Sequence, residues 1–310
     1  MQTILGINGC TGKGIANELL RKGYAVRGIS RSDTPGPWTH VAADILNKAQ
    51  LTKAIAGSEV VYSCFGLEYT VDIWKRDWPV AIDNVIDACL ATNAKLVFID
   101  NVYMYGLVDD VMTEETPMNP CSKKGDIRKA VAEKLLDAFR NRGLKGSILR
   151  CADFYGPDCE KSMITETVFK NMAKGKIAQW LGKTDKVHAF TYIPDLCKAG
   201  VTLGLDAPAD GQIWHAPTDQ QVLTGKEWVA QIAKEMNMPP KVTTLSSFMV
   251  GILGLFIPIL KEIKEMMYQY NHDYRFSDAK YQRTFGDVPA TPYAEGIKAT
   301  AQFYKSDTRK

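Results

Sequence analysis

The sequence has no hydrophobic run long enough to cross a bilayer. Its longest apolar stretch, FMVGILGLFIPIL from Phe248 to Leu260, has 13 residues and is interrupted by Gly251, Gly254 and Pro258, where a spanning helix needs about 20. A run of this length reads as a buried helix or pocket wall, and no membrane partner is expected. Paired cysteine motifs are missing too. The seven cysteines, at positions 10, 64, 89, 121, 151, 159 and 197, include no C-x-x-C, and an odd, unpatterned set fits reduced thiols in a cytoplasmic protein. The four histidines share no ligand spacing, so no metal site is expected. Basic runs are absent and the formal net charge is only +3, which argues against a nucleic-acid partner. The chain enters an apolar strand at once, without the basic-then-apolar pattern of a signal peptide. Internal repeats and low-complexity segments are also lacking.

What is present is a chain of 310 residues with 24% charged and 45% hydrophobic residues, enough for a large core in one or two domains. Its first 23 residues carry the strongest local pattern. A short apolar run (Ile4, Leu5, Ile7) stops at a glycine cluster, Gly9, Gly12 and Gly14. An amphipathic segment with Ile15, Leu19 and Leu20 on one face follows, and Gly23 stands where a helix C-cap glycine belongs. Strand, glycine turn and helix in this order aim backbone N–H groups and a helix N-terminus at one place, which suits a pyrophosphate. The spacing is G-x-x-G-x-G rather than G-x-G-x-x-G. Gly14 sits one place early and Ile15 occupies the expected third-glycine position. An ordinary strand–helix turn is the plainer alternative.

The alternation continues. Strands are predicted at Tyr24–Ser30, at EVVYSCFG ending on Gly66, at Lys95–Asp100 and at Lys145–Arg150, with helices at Asn47–Ala56, Trp74–Thr92 and Arg128–Arg142. Strands alternating with helices predict an α/β fold with a Rossmann-like, doubly wound parallel sheet. Residues 1–160, with 186–204 returning to them, are expected to form the dinucleotide-binding part. Residues 161–185 and 205–310 are expected to form a smaller C-terminal substrate-binding lid. Within it, Thr224–Met236 opens with a capping-box pattern, and Ser246–Asn271 reads as a helix broken around Pro258.

Ligands of such sheets bind outside the carboxyl ends of the strands. The residue ending the second strand chooses the cofactor, because a carboxylate there suits the 2′-hydroxyl of NAD and an arginine suits a 2′-phosphate. Here Ser30, Arg31 and Ser32 stand at that end and no acid comes before Asp33. NADP(H) is therefore favoured over NAD(H), although Arg31 also reads as a plain surface residue. The candidate dinucleotide contacts are Gly9, Cys10, Thr11, Gly12, Lys13, Gly14 and Ile15 at the turn, then Ser30, Arg31 and Ser32. Asp44 and Ile45 follow the third strand, Cys64, Phe65 and Gly66 the fourth, and Asp100 and Asn101 the fifth. Lys124, and Ala152, Asp153 and Phe154 beyond the last strand, complete the set.

Several segments together resemble the short-chain dehydrogenase/reductase superfamily, in its extended or atypical branch of epimerase/dehydratase-like proteins. They are GCTG (Gly9–Gly12), ADI (Ala43–Ile45), YMYG (Tyr103–Gly106), TEETPMNP (Thr113–Pro120), RCADFYGP (Arg150–Pro157) and TYIPDL (Thr191–Leu196). The resemblance covers most of the chain and implies a dinucleotide cofactor, a small-molecule substrate and a possible homodimer. It breaks at the expected catalytic centre. Asn101 stands where typical members carry Ser or Thr, and KGDIR puts Lys124 in place of the acid/base tyrosine and Arg128 in place of its lysine. Lys124 and Arg128 at this spacing are similar to the isoflavone-reductase-like and NmrA-like subgroups, where the lysine relays protons or anchors substrate in some members and the fold only senses redox state in others.

At i, i+4 the two cations share one helix face. A second cation and burial both lower a lysine pKa, which would let Lys124 act as acid or base. A charged Lys124 would instead hold an oxyanion or the ribose hydroxyls. A solvated basic helix start is the plainer alternative. Tyr103 and Tyr105 are further hydroxyls near Asn101, and the candidate catalytic set is Lys124, Asn101, Tyr103 and Arg128. The Phe248–Leu260 segment and Trp180 are candidate walls of an apolar pocket. The leading reading is an NADP(H)-dependent oxidoreductase acting on a small carbonyl, enone or sugar-like compound. A non-catalytic NADP(H)-binding regulator is the alternative, and a nucleotide-sugar epimerase or dehydratase comes last because the tyrosine is missing.

Overall fold

The computed structural model describes residues 1–307, and the last three residues of the expected C-terminal part lie outside it. The chain divides into two compact units. The first comprises Met1–Met104, Lys123–Cys151 and Leu196–Ala216. It is built on strands β1 (Gln2–Leu5), β2 (Val26–Ser30), β3 (Thr39–Ala42), β4 (Val60–Ser63) and β5 (Lys95–Asp100), joined by the strands Gly146–Arg150 and Ile213–His215. All seven are parallel, in the order Ile213–His215, Gly146–Arg150, β5, β4, β1, β2, β3. Every residue of β1, β4 and Gly146–Arg150 is buried, as expected where crossover helices cover both faces of a parallel sheet. The strand order reverses between β1 and β4, which makes their carboxyl ends the topological switch point.

Local sequence signals set the helices of this unit. Helix α1 (Cys10–Arg21) ends at Gly23, whose φ of +83° places it in the left-handed region and whose N–H donates to the Leu20 carbonyl at 2.9 Å. The Asn47 side chain caps α2 (Lys48–Ile55) and that of Thr70 caps α3 (Val71–Thr92). Helix α4 (Lys123–Asn141) begins five residues before the predicted Arg128. Its first turn is polar, so it carries no apolar period, yet Lys124, Gly125 and Arg128 are all buried.

The second unit comprises Tyr105–Ser122, Ala152–Asp195 and Pro217–Lys310. The division therefore runs at 151/152 and 195/196, where the sequence suggested 160 and 186–204. The reason is that Asp153–Tyr155 pairs with Phe190–Tyr192 inside this unit. Two further short parallel pairs join Val242–Leu245 to Ala178–Leu181 and Arg275–Phe276 to Val111–Met112. The expected capping box is present at Thr224, ahead of the helix Gly225–Met236. Trp228 packs against Tyr155, Phe190 and Tyr293 at the centre of an aromatic core.

Candidate functional site

The three glycines of the N-terminal turn have three different causes. A Cβ on Gly12 would collide with the Gly6 carbonyl oxygen, so Gly12 serves the tightness of the turn itself. A Cβ on Gly14 would collide with the Cys197 sulfur, so Gly14 allows α1 to pack against the neighbouring helix. Only Gly9 would accept a Cβ without a clash, the Gly6 carbonyl oxygen lying at an ordinary contact distance of 3.6 Å. Gly9 is also the N-cap of α1, and neither a side-chain cap nor a first-turn acid occupies that end. Ile15 is fully buried in the core and Gly12 is buried. These placements turn Gly12, Gly14 and Ile15 to packing, leaving Gly9 and the α1 start facing outward.

At the end of β2, the Ser30 hydroxyl donates to the Ser32 carbonyl at 2.7 Å and meets His40 at 3.0 Å, so it is engaged internally rather than offered to a phosphate. Arg31 and Ser32 are exposed, and Arg31 enters no ion pair among the described residues. Asp33, the first acid after β2, lies 3.3 Å from His40 Nδ1. Asp44 accepts from the Leu46 N–H at 3.0 Å, and Ile45 is half-buried. After β4, Phe65 stacks on Trp78 at 5.2 Å and Gly66 is open. Burial pushes the Cys64 thiol well above its usual range, with the Cys10 thiol adding to the effect, so neither β4 nor its exit supplies a thiolate nucleophile. Cys10, Thr11 and Lys13 are half-buried on the first turns of α1.

The KGDIR cations take separate places. The Arg128 guanidinium pairs with the Asp100 carboxylate, its Nε donating to Oδ1 at 2.9 Å. It also stacks 4.2 Å from the Trp78 ring and 5.2 Å from that of Phe98. Arg150 Nε stands 3.8 Å from the other Asp100 oxygen. All three charged groups are buried, so Arg128 is bound into a core ion cluster. Lys124, one helical turn earlier, is fully buried, and its ammonium lies over the Tyr69 ring. The Tyr69 hydroxyl donates to the Tyr103 hydroxyl at 3.3 Å. Asn101 accepts the Tyr103 N–H at 3.0 Å, which fixes the turn after β5. Tyr103 stacks on Trp74.

The first unit thus brings together Lys124, Tyr103 and Asn101 and adds Tyr69, which sequence reasoning passed over. Its signal was available: Tyr69 directly precedes the Thr70 cap in the loop after β4, a strand end already marked as ligand-facing. Arg150, Trp74 and Trp78 were missed as well, because their partners lie far away in sequence. Tyr105 is buried in the second unit.

Ala152, Asp153 and Phe154 also belong to the second unit. There the Ala152 N–H donates to Thr191, and Asp153 accepts from Tyr270 at 2.7 Å and lies 3.0 Å from His188 Nε2. The His188 ring is sandwiched between Tyr270 and Tyr274 at 4.5 and 4.4 Å. Trp180 is buried in the same aromatic cluster. The Phe248–Leu260 segment departs from the expected buried wall. It forms the helices Ser247–Leu253 and Pro258–Lys264, and most of its large apolar side chains are exposed. Among the described residues no group of acids, histidines and cysteines is placed to hold a metal ion, and no helix is long and apolar enough to cross a membrane.

Known proteins agree with this architecture. Over 292 residues the chain is 24% identical to 3beta-hydroxysteroid-dehydrogenase/decarboxylase isoform 1 of Arabidopsis thaliana, a match covering 84% of this chain and 65% of the plant protein. The chain therefore spans just under two-thirds of that relative. It is 20% identical to the mouse (Mus musculus) sterol-4-alpha-carboxylate 3-dehydrogenase, decarboxylating, over 97% of this chain and 90% of the relative. A crystal structure of a double mutant of the dTDP-glucose 4,6-dehydratase from Streptomyces venezuelae, with NAD bound, has the same fold. The TM-score is 0.80 at 18% identity, covering 100% of this chain and 98% of that one. Residues 3–214 match the NAD dependent epimerase/dehydratase family, and the chain belongs to that family.

Proposed function

We propose that this protein is a nicotinamide-dinucleotide-dependent enzyme that interconverts a secondary alcohol and a ketone. The observation that carries the reading is the uncapped start of α1 beneath the open face of Gly9, at the switch point between β1 and β4. Its N–H groups and dipole favour the pyrophosphate of a dinucleotide. The nicotinamide, when bound, supplies or accepts the hydride. Arg31, Ser32 and Asp33 are all exposed at the end of β2, with the Asp33 carboxylate 3.3 Å from His40 Nδ1. This favours NADP(H) over NAD(H), although the Streptomyces venezuelae dehydratase was solved with NAD.

The proton falls to the hydroxyl pair of Tyr69 and Tyr103. In our reading Tyr103 meets the substrate oxygen, Tyr69 relays the proton, and Lys124 holds Tyr69 in place from above its ring. Asn101 fixes the turn that carries Tyr103. Arg128 positions α4 through Asp100 rather than touching the reacting atoms. The names of the steroid-dehydrogenase relatives and of the sugar-nucleotide dehydratase of like fold favour hydroxysteroids and nucleotide sugars over simple carbonyls and enones as substrates. It also raises the epimerase/dehydratase reading, which the missing tyrosine had placed last.

Fluorescence titration with NADPH and NADH, followed by turnover on a panel of 3β-hydroxysteroids and sugar nucleotides, tests the proposal. Tighter binding of NADPH and turnover of one substrate class are expected. Binding of neither dinucleotide sinks it, and binding without any turnover would favour the regulator.

A further inference from the structure

The segment expected to be buried is the most exposed apolar part of the chain. Phe248, Leu255 and Phe256 are 76, 79 and 80% exposed, and Met249, Ile252 and Ile257 beside them are also exposed. A scatter of single apolar residues on a surface is ordinary, but a contiguous patch of this kind marks an interaction site. The segment is nonetheless held in shape. Val250 and Ile263 are buried and anchor the two helices. Ser246 caps the first helix, and Asn271 donates to the Ser247 hydroxyl at 2.9 Å. The helices meet closely at Gly254, where a Cβ would come within 3.0 Å of the Lys261 nitrogen. The result is a built hairpin whose exposure peaks at its apex, Leu255–Phe256.

Charge says what covers this tip. Lys261 and Lys264, on the helix that returns from the apex, are exposed and enter no ion pair among the described residues. The Lys264 side chain lies along the first helix, with its Nζ 3.5 Å from the Cβ position of Gly251. The acids of that helix end, Glu262 and Glu265, are half-buried and already engaged. Lys183, exposed, lines a hollow that also touches Phe248, with the exposed Asp185 beside it. The order is therefore an apolar apex followed, five and eight residues later, by unpaired cations. At about 1.5 Å per helical residue the lysines stand roughly 7–12 Å behind Phe256 along the chain. An amphipathic element resting in a bilayer needs this depth order, with apolar groups at the acyl boundary and lysines among the phosphates. A symmetric contact between two copies would instead bring two sets of unpaired lysines to one seam.

We propose that the hairpin of Ser247–Leu253 and Pro258–Lys264 is a peripheral docking element for an anionic membrane surface. The tip enters the headgroup–acyl boundary without spanning it, and Lys261 and Lys264 meet the lipid phosphates. Each such lysine adds about fivefold to the affinity.

The test is flotation of the full-length protein with vesicles of phosphatidylcholine containing about one-third phosphatidylglycerol, a charge density at which surface lysines contribute measurably. Wild type is expected to float with these vesicles and to release as salt rises. The double variant Leu255→Ser/Phe256→Ser is expected to lose binding by about tenfold or more, since each apolar side chain leaves the interface. Lys261→Gln/Lys264→Gln is expected to bind the anionic vesicles about 25-fold more weakly and to behave like wild type on pure phosphatidylcholine. Dinucleotide binding and thermal melting of all variants should match wild type, because the altered side chains are exposed. Failure of the wild type to float, or flotation of Leu255→Ser/Phe256→Ser unchanged, overturns the proposal. So does a concentration-dependent dimer in light scattering that the same variant abolishes in the absence of vesicle binding.

Discussion

The Lys124 ammonium rests 4.6 Å from the centre of the Tyr69 ring, whose hydroxyl is hydrogen-bonded to that of Tyr103. If this group handles the proton, Tyr103→Phe should lower kcat by about a hundredfold or more with little change in dinucleotide affinity. Tyr69→Phe should flatten the pH profile more than it lowers KM. Turnover against pH for both variants checks this, and full activity in Tyr103→Phe would remove it from the mechanism.

Gly9 and Gly12 should respond differently to substitution. A Cβ on Gly9 meets nothing closer than 3.6 Å, so in Gly9→Val melting should stay near wild type while dinucleotide affinity falls about tenfold or more. Gly12→Ala drives a methyl group into the Gly6 carbonyl and should lower stability first. Fluorescence titration beside a thermal melt separates the two.

Arg31→Ala should weaken NADPH by about tenfold, the size of one charge-assisted contact, and leave NADH unchanged. Equal loss for both dinucleotides would assign Arg31 no part in choosing between them.

The core ion cluster should show in stability. Arg128→Ala leaves Asp100 buried without its closest cation and should cost about 3 kcal/mol or more in urea unfolding. Lys124→Met keeps the length of the side chain over the Tyr69 ring and leaves the Arg128–Asp100 pair intact, so it should cost less. A loss with Lys124→Met as large as that with Arg128→Ala would contradict this division of roles.

Asp87 of α3 ties α2 to the residue that follows α4. Hydrogen bonds from Lys48 of α2, at 2.6 Å, and then from Arg142 beyond α4, at 2.7 Å, hold its carboxyl below the ordinary value of 3.8. A lowered folded-state pKa contributes stability that is present above 3.8 and lost as pH falls through the folded value. Both partners are well exposed, so Asp87→Asn should cost only about 0.5–1 kcal/mol at neutral pH. Urea unfolding at pH 7 and again well below 3.8 should show the difference between variant and wild type disappear in acid.

The parallel sheet was legible because its strands are short apolar runs separated by helices with ordinary caps, such as Asn47. The start of α4 was not, since Lys124 and Arg128 are charged residues that point inward and their partners, Tyr69 and Asp100, come from other strand ends. Pattern reading assigns polar residues to the surface, and here tertiary pairing overrides it. The Phe248–Leu260 segment fails in the opposite sense. Its composition signals burial, yet only Val250 and Ile263 supply anchors. The glycine turn was recognised as a unit, but only coordinates separate the residue left open, Gly9, from those serving the turn and the helix packing.

Every strand ladder among the described residues is parallel. No tight hairpin is therefore available to nucleate a sheet locally, and each pairing must first close a long loop. The extreme case is Val111–Met112, whose partner Arg275–Phe276 arrives in the last eighth of the chain. On the ribosome this segment must wait, unpaired, until the chain has emerged as far as Phe276. Refolding should accordingly be slow, and chains truncated before residue 275 should be prone to aggregate.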